Sequence, residues 1–256
     1  MKNIFLIVLM LSGLTVFSQE ENKTDVNGQK QGEWKKYHEN GMLRYVGSFE
    51  NNKAVGEFTY YYDSGNVQSK IDHKNGLSYF IAFYKSGEVK ALGKYINQKR
   101  DSTWNYYDLD GFKKSTEFYI NGLKNRVSYN YYPNGQIAEE TGFFNGFENG
   151  KWIKYSAEGT KKMEATYENG GLEGEANYYS SEGKRKIRGF YYHGTRNGVW
   201  LYFNADGNTI KKKEEYDKGK RIDENKDDDF EATPLKAISE DFLDPNTFMN
   251  QMGRNQ

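Results

Sequence analysis

The sequence predicts an all-β fold, an elongated antiparallel β-meander of about eight hairpin repeats of 22–24 residues. The first observation is a set of eight glycines separated by 24, 22, 24, 24, 24, 24 and 24 residues. They are Gly41, Gly65, Gly87, Gly111, Gly135, Gly159, Gly183 and Gly207. The second is that an aromatic residue precedes each of them by four positions. Two short strands and two turns fill such a repeat, which is too short for a propeller blade of about 40–45 residues.

Three aromatic columns run through the repeats. The invariant column, four residues before each glycine, is Tyr37, Tyr61, Phe83, Tyr107, Tyr131, Tyr155, Tyr179 and Phe203. The tryptophan column, seven residues before, is Trp34, Phe58, Phe80, Trp104, Ser128, Trp152, Ala176 and Trp200. The closing column, eight residues after, is Phe49, His73, Tyr95, Tyr119, Phe143, Tyr167, Tyr191 and Glu215. We expect His73 to be a packing residue, because it occupies an aromatic position.

The spacing of the first two columns predicts which side of the sheet each one faces. Positions three residues apart in a strand point to opposite faces. We expect the invariant column to form the core, and the tryptophan column, which lapses to Ser128 and Ala176, to be less obligatory. The candidate binding surface is therefore Trp34, Trp104, Trp152, Trp200, Tyr60, Tyr106, Tyr178 and Tyr202.

Asn-Gly pairs mark the turns between the strands. Such pairs favour positive φ at both central positions of a type I′ turn, which suits a hairpin. The pairs are Asn40-Gly41, Asn75-Gly76, Asn121-Gly122, Asn134-Gly135 and Asn145-Gly146.

The N-terminal segment, residues 1–18, is predicted to be a signal peptide, followed by an extension over residues 19–27. Lys2 precedes an apolar run from Ile4 to Phe17, and cleavage is expected near Ser18-Gln19. The alternatives are a buried helix or an uncleaved anchor, but the run is short for a membrane span of about 20 residues. We expect the mature chain to be exported to the periplasm, the cell surface or the medium. The chain has no cysteine, which excludes disulfides and thiolate metal sites.

The repeat array, residues 28–222, is followed by an acidic tail, residues 223–256. The tail has nine acidic and three basic residues, whereas residues 19–222 carry about +5. Thr233-Pro234 is a suitable helix start, and Leu235, Ile238, Phe242 and Leu243 would share one side of a helix over 233–243. Because Glu215 replaces an aromatic residue in the last repeat, we expect this helix to cap the array. A disordered tail is the alternative.

No constellation of catalytic or metal-binding residues is found. The three histidines, His38, His73 and His193, lie in three different repeats without the spacing of metal ligands. The glycine-rich stretches are turns that do not lead into helices. We therefore predict no catalytic residue, no metal and no cofactor, and a protein that is not an enzyme.

The recurring phrase Gly-x-Trp-x-x-Tyr-x-x-x-Gly is carried by Gly32–Tyr37 with Gly41 and by Gly198–Phe203 with Gly207. It resembles the bacterial MORN repeat variant, from residue 28 to about 220. The resemblance implies binding or scaffold roles, in some members as antitoxin components of toxin–antitoxin modules and in others with membrane or lipid recognition. The third repeat is two residues shorter, and Ser78, Ser102 and Arg126 replace the leading glycine.

These patterns favour a non-catalytic binding or scaffold protein whose partner is another protein. The alternative is a cell-wall or glycan-binding module that uses its aromatic stripes, although four tryptophans are few for that role. A lesser alternative is lipid-headgroup binding, which the scattered Lys and Arg residues disfavour. No nucleic-acid partner is predicted, and no transmembrane segment after signal cleavage.

Overall fold

The computed structural model describes residues 21–222 and the pair Thr233–Pro234. These residues form twenty β-strands and no helix. The strands are β1 Gly32–Tyr37, β2 Leu43–Glu50, β3 Lys53–Tyr61, β4 Val67–Lys74, β5 Leu77–Phe83, β6 Val89–Ile96, β7 Lys99–Tyr107, β8 Lys113–Ile120, β9 Leu123–Lys124, β10 Arg126–Tyr131, β11 Ile137–Phe144, β12 Phe147–Tyr155, β13 Lys161–Glu168, β14 Gly171–Leu172, β15 Gly174–Tyr179, β16 Arg185–Tyr192, β17 Thr195–Phe203, β18 Thr209–Asp217, β19 Lys220–Arg221 and β20 Thr233–Pro234.

The strands form one antiparallel sheet in which each strand pairs with its neighbours in the sequence, from β1–β2 through β17–β18. The short strands β9 and β10 both pair with β8 and are separated only by Asn125. β14 and β15 pair with β13 in the same way, interrupted at Glu173. Each of these pairs acts as one strand, so the array has sixteen strand positions. The predicted meander of eight hairpins is confirmed.

Two kinds of turn alternate along the two sides of the sheet. On one side both central residues have positive φ, as at Asn75 (50°) and Gly76 (79°) or Asn145 (49°) and Gly146 (91°). These are the predicted type I′ turns. On the other side only the glycine does, as at Gly41 (83°) and Gly135 (83°). The type I′ prediction is therefore wrong for Asn40-Gly41 and Asn134-Gly135, where the turn is longer.

Side chains in these longer turns join each repeat to the next. The Tyr62 hydroxyl donates to the Phe83 carbonyl at 2.9 Å, and the Tyr84 hydroxyl donates to the Tyr107 carbonyl at 2.8 Å. Asn134 Nδ2 donates to the Ala157 carbonyl at 2.8 Å. Because donor and acceptor lie in successive repeats, these bonds fix the stacking of the turns along one side of the array.

The core lies on the face opposite to the predicted one. Phe58, Trp104 and Trp200 of the tryptophan column are 2%, 1% and 0% exposed, whereas Tyr37 of the invariant column is 51% exposed. The assignment of the invariant column as core is thus wrong. The tryptophan column is buried because each ring packs against rings of the closing column on the same face, as Trp104 does against Tyr95 at 5.0 Å between ring centroids.

Glycines of the preceding strand let these rings lie flat on the sheet. A Cβ at Gly47 would stand 2.3 Å from the Phe58 ring, and at Gly93 or Gly189 it would stand 2.2 Å from the Trp104 or Trp200 ring. At Ser128 and Ala176, the two small members of the column, the residue eleven positions earlier is Glu117 or Ala165 and not a glycine. A glycine is not required under every ring, because Phe80 pairs with Ile71 and Trp152 pairs with Thr141.

The last repeat contains one extra residue in its turn. Tyr155 pairs with Lys161, but Phe203 pairs with Ile210, which is one position farther on. Tyr216 consequently lies opposite Gly198, as Tyr167 lies opposite Gly150. The closing column is aromatic in this repeat too, so the expectation that Glu215 leaves it incomplete is wrong.

Both ends of the array are covered by further chain. At the start, Asn22 donates its amide to the Glu33 carbonyl at 3.0 Å and covers the edge of β1. At the end, Thr233–Pro234 pair with Thr209 and Ile210 of β18 as a strand, where the sequence predicted the first residues of a helix. The remainder of that predicted helix and the predicted signal peptide lie outside the described residues.

Candidate binding surface

One face of the sheet, here called the aromatic face, holds most of the predicted binding residues. It comprises the tryptophan column, the closing column with Tyr216 as its last member, and the position five residues before each repeat glycine, which includes Tyr60, Tyr106, Tyr178 and Tyr202. On this face, aromatic rings of nearby strands contact one another. Phe80 and Trp104 are 5.4 Å apart between ring centroids, and Trp104 and Tyr119 are 6.3 Å apart. The opposite, charged face carries ion pairs such as Arg188–Glu175 at 2.6 Å.

In the fourth repeat the aromatic face holds a cation between two tyrosines and a tryptophan. Arg100 lies 4.7 Å from the centroid of the Trp104 ring and donates to the Tyr106 and Tyr119 hydroxyls, each at 3.2 Å. The Tyr119 hydroxyl donates to Glu117 at 2.6 Å. The arginine therefore has both stacking and hydrogen-bond partners within the protein.

The same arrangement recurs four repeats later. Arg196 lies 4.2 Å from the Trp200 ring centroid and donates to the Tyr216 hydroxyl at 3.1 Å. Tyr202 and Tyr216 both donate to one oxygen of Glu214. Burial opposes ionisation of Glu214, but hydrogen bonds from Tyr202, Lys212 and Tyr216 outweigh it and lower the pKa of this carboxyl to about 2. The cluster is a satisfied, partly buried network.

Six of the eight predicted binding residues lie in the core, in the two arginine clusters or in ring and cation contacts at the N-terminal end. Trp104 and Trp200 are buried in the core, which corrects their assignment to the surface. Tyr106 and Tyr202 belong to the two arginine clusters. At the N-terminal end, Trp34 lies under the Lys30 ammonium at 4.4 Å, and Tyr60 packs against Tyr45 with ring centroids 5.7 Å apart. His73 is the expected packing residue and meets Phe58 edge-on at 5.4 Å.

The other two predicted residues, Trp152 and Tyr178, line a groove of about 600 Å³ on the aromatic face of the sixth and seventh repeats. Met163, Leu172 and Tyr191 also line it, and the buried Ala165 and Ala176 pack beneath these side chains. The groove exists because Ala176 occupies the position that Trp104 and Trp200 fill in other repeats.

The groove also lacks the arginine of the fourth and eighth repeats. Leu172 stands at the position of Arg100 and Arg196, eleven residues before the repeat glycine. The two tyrosines are retained, and their hydroxyls, on Tyr178 and Tyr191, lie 3.1 Å apart. Repeat 7 therefore keeps the tyrosine pair of the cluster without its tryptophan and without its cation.

Polar groups lie at the opposite wall. Trp152 Nε1 donates to Glu139 at 2.6 Å, and Lys154 Nζ lies 3.7 Å from the same carboxylate and 4.7 Å from the Trp152 ring centroid. Asn130 lines the same end of the groove. The site thus combines an aromatic wall, a carboxylate and phenolic hydroxyls, which suits a ligand with flat apolar and hydrogen-bonding parts.

Sequence reasoning missed the alanines that create this groove. Ala176 is a visible break in the tryptophan column, but from the sequence alone this break indicates only that the column is less obligatory. The correct signal was the pairing of glycine with tryptophan and of alanine with alanine, which concerns two strands at once.

The described residues contain no group of three or more His, Asp or Glu side chains placed to hold a metal ion. Nor do they include a helix long and apolar enough to cross a membrane.

Comparison with known proteins identifies one repeat family. The family model described as MORN repeat variant matches residues 30–51, 54–75, 127–145 and 148–169. No curated protein matches the chain. A S. aureus TarM mutant in complex with fondaparinux, alpha-GlcNAc-glycerol and UDP is 16% identical, with a TM-score of 0.31, over 41% of this chain and 21% of that one. A TcdB2-TccC3-TEV structure is 11% identical, with a TM-score of 0.23, over 78% of this chain and 14% of that one.

The chain therefore spans about a fifth or less of the length of these solved proteins. The activities of those proteins are not attributed to this chain. The family assignment depends instead on the four matched stretches and on the hairpin that every repeat forms. MORN repeats are a non-catalytic repeat type that serves as a binding or scaffold module. Four of the eight repeats of this chain therefore match the MORN repeat variant.

Proposed function

We propose that the chain is an exported, non-catalytic binding module that holds a protein partner in the groove between Trp152 and Tyr191. The observation that carries the proposal is the missing tryptophan and arginine of the seventh repeat. In repeats 4 and 8 the tyrosine hydroxyls accept hydrogen bonds from an arginine of the same chain. The rings of Tyr178 and Tyr191 pack against Trp200, but their hydroxyls bond to each other and not to an arginine. A partner that inserts an aromatic or basic side chain would complete the cluster.

The chemistry of the groove favours a protein over other ligands. Trp, Tyr and Arg are the residues that most often dominate the energy of protein interfaces. An arginine of the partner would find here two phenolic oxygens and the ring of Tyr191. Arg196 makes the equivalent contacts with the hydroxyls of Tyr202 and Tyr216 and with the Tyr216 ring. Cation–π contacts of this kind contribute about 0.5–2 kcal/mol, depending on how far the pair is desolvated.

Filling the groove tests the proposal without removing a polar group. The double substitution Ala165→Gly with Ala176→Trp installs the glycine–tryptophan pair that the fold already uses at Gly189 and Trp200. The exposed Lys151 on the same strand as Trp152 supplies a control, Lys151→Glu. Tagged wild-type and variant chains are incubated with envelope proteins of cells that produce the chain.

We expect a protein that wild type and Lys151→Glu retain and that the filled variant retains at least about tenfold less. Its affinity should fall likewise when a surface arginine or aromatic residue of that partner is changed to alanine. Equal retention by the filled variant would contradict the proposal.

A glycan is the second candidate, favoured by the stacking surface of Trp152 beside the Glu139 carboxylate. Soluble cell-wall fragments, tested against the same three chains by isothermal titration, separate the two candidates. Binding of a fragment that the filled variant abolishes, without a retained protein, would assign the groove to a sugar.

Export is tested separately on the complete chain. We expect the protein in the periplasmic or secreted fraction, with an N-terminus at Gln19. Recovery of the chain in the cytoplasm with residues 1–18 attached would contradict this part of the proposal.

A further inference from the structure

The charged face of the last repeat differs from that of the other repeats. Val199, Leu201, Phe203 and Ile210 form a cluster there, called the C-terminal apolar cluster, and they are 6%, 1%, 7% and 0% exposed. Elsewhere the column of Val199 carries Glu33, Glu57, Tyr79, Thr103, Val127, Lys151 and Glu175. A single sheet normally leaves this face in contact with water.

The matched valines make the difference clear. Val127 has the same position in the fifth repeat as Val199 in the eighth, yet it is 39% exposed. Phe203 is 7% exposed, whereas Tyr37 of the same column is 51% exposed. The same side chains on the same face are thus accessible in one repeat and inaccessible in another.

Two further observations point to the chain that follows. Strand β20 pairs Thr233 with Ile210, a member of the cluster, and Pro234 with Thr209. Arg185 stands over the Phe203 ring at 5.7 Å, and its Nε is buried without a hydrogen-bond partner. A segment that carries apolar and acidic side chains would satisfy both features.

We propose that residues 235–244 of the same chain dock on the C-terminal apolar cluster. The segment contains Leu235, Ile238 and Phe242, which share one side in a helical conformation, and the acidic residues Glu240, Asp241 and Asp244. The apolar residues cover Leu201 and Phe203, and an acidic residue pairs with Arg185. The tail is in this way a built-in cover of the last repeat.

The absence of cysteine in the natural chain permits a direct test by thiol labelling. Val199→Cys and, as the matched control, Val127→Cys are each labelled with a maleimide in the full chain. We expect the Val199→Cys thiol to react at least about tenfold more slowly than the Val127→Cys thiol. Truncation after Pro234 should make the two rates similar, and so should Phe242→Asp in the full-length chain.

Several results would overturn the proposal. Equal labelling in the full chain would mean that the cluster is open, and protection that survives both truncation and Phe242→Asp would assign its cover to another segment. Protection that decreases on dilution, together with a dimeric mass in light scattering, would assign it to a second copy. Because Phe242→Asp retains the whole chain, the test does not depend on how well the truncated chain folds.

Discussion

At the scale of single residues, a glycine and an aromatic ring on adjacent strands determine where the core lies. The ring of Trp200 occupies the space that a side chain at residue 189 would need, and Gly93 serves Trp104 in the same way. The ring that stabilises the sheet therefore lies over a residue that has no side chain. This pairing explains how Trp104 and Trp200 are buried although the described residues form a single sheet.

We expect Gly189→Ala and Gly93→Ala to destabilise the protein by about 1–3 kcal/mol, the usual cost of overpacking. The added Cβ would lie 2.2 Å from an indole carbon, so the ring must move. Gly171→Ala is the control, because its Cβ would meet other atoms only at 3.7 Å or more. Urea unfolding should give a change within about 0.5 kcal/mol for the control. Similar losses for all three glycines would contradict the packing described.

The depressed pKa of Glu214 makes the last repeat sensitive to acid. A carboxyl whose folded pKa, about 2, lies below its ordinary value of 4.5 stabilises the fold above pH 4.5 and loses this contribution as the pH falls towards 2. The contribution is about 3 kcal/mol at neutral pH, at about 1.4 kcal/mol per pKa unit. Glu214 is only 8% exposed, so solvent screens it weakly.

Glu214→Gln should therefore lower the free energy of unfolding at pH 7 by an amount on this order. The difference from wild type should shrink between pH 4.5 and pH 2, measured by urea unfolding at a series of pH values. Glu215→Gln, one residue away on the opposite face, serves as the control and should follow the wild-type profile. A difference that stays constant with pH would mean that the charge of Glu214 is not what stabilises the network.

At the scale of the hairpin, the two aromatic columns differ in what they contribute. Trp104→Ala should cost about 3–5 kcal/mol, since it opens a large cavity in the buried face. Tyr107→Ala, in the half-buried invariant column of the same strand, should cost clearly less. Urea unfolding of the two variants shows which face of the sheet contributes more to stability. A greater loss for Tyr107→Ala would restore the core assignment that the sequence alone favoured.

The hairpin itself could be predicted from the sequence, because the glycine interval and the Asn-Gly turns are local patterns. Asn75-Gly76 and Asn145-Gly146 form the expected type I′ turns. The buried face could not be predicted, because it depends on which residue of the neighbouring strand lies under each ring. The constancy of the invariant column suggests burial, but Tyr37 and its counterparts lie near the longer turns. There, bonds from side-chain hydroxyls to backbone carbonyls, such as Tyr62 to Phe83, stack the repeats.

The candidate site, too, could be predicted only in those parts that depend on local sequence. Trp152 and Tyr178 were among the predicted binding residues, and both line the groove. Its depth, however, comes from Ala165 and Ala176, and the position of Tyr216 depends on one inserted residue in the last turn. A fixed count from the repeat glycine leads to Glu215 there. Both the depth of the groove and the position of Tyr216 depend on the register between strands, which cannot be read from a single sequence.

At the scale of the whole molecule, sixteen strand positions in sequence order predict an extended particle. At about 4.8 Å between strands, the array is on the order of 75 Å long. Small-angle scattering of the complete chain should therefore give a radius of gyration clearly above the roughly 18 Å of a compact protein of this size. A value near 18 Å would show that the sheet folds back on itself.

The strand order has a mechanical consequence. The backbone hydrogen bonds between strands run perpendicular to the strands and hence along the row of repeats. A force that separates the two ends pulls along these bonds and loads the outermost pair first, so the strands should peel away one after another. Each repeat of 24 residues would release about 80 Å of extended chain. Under tension, such an array should lengthen stepwise instead of resisting as a single unit.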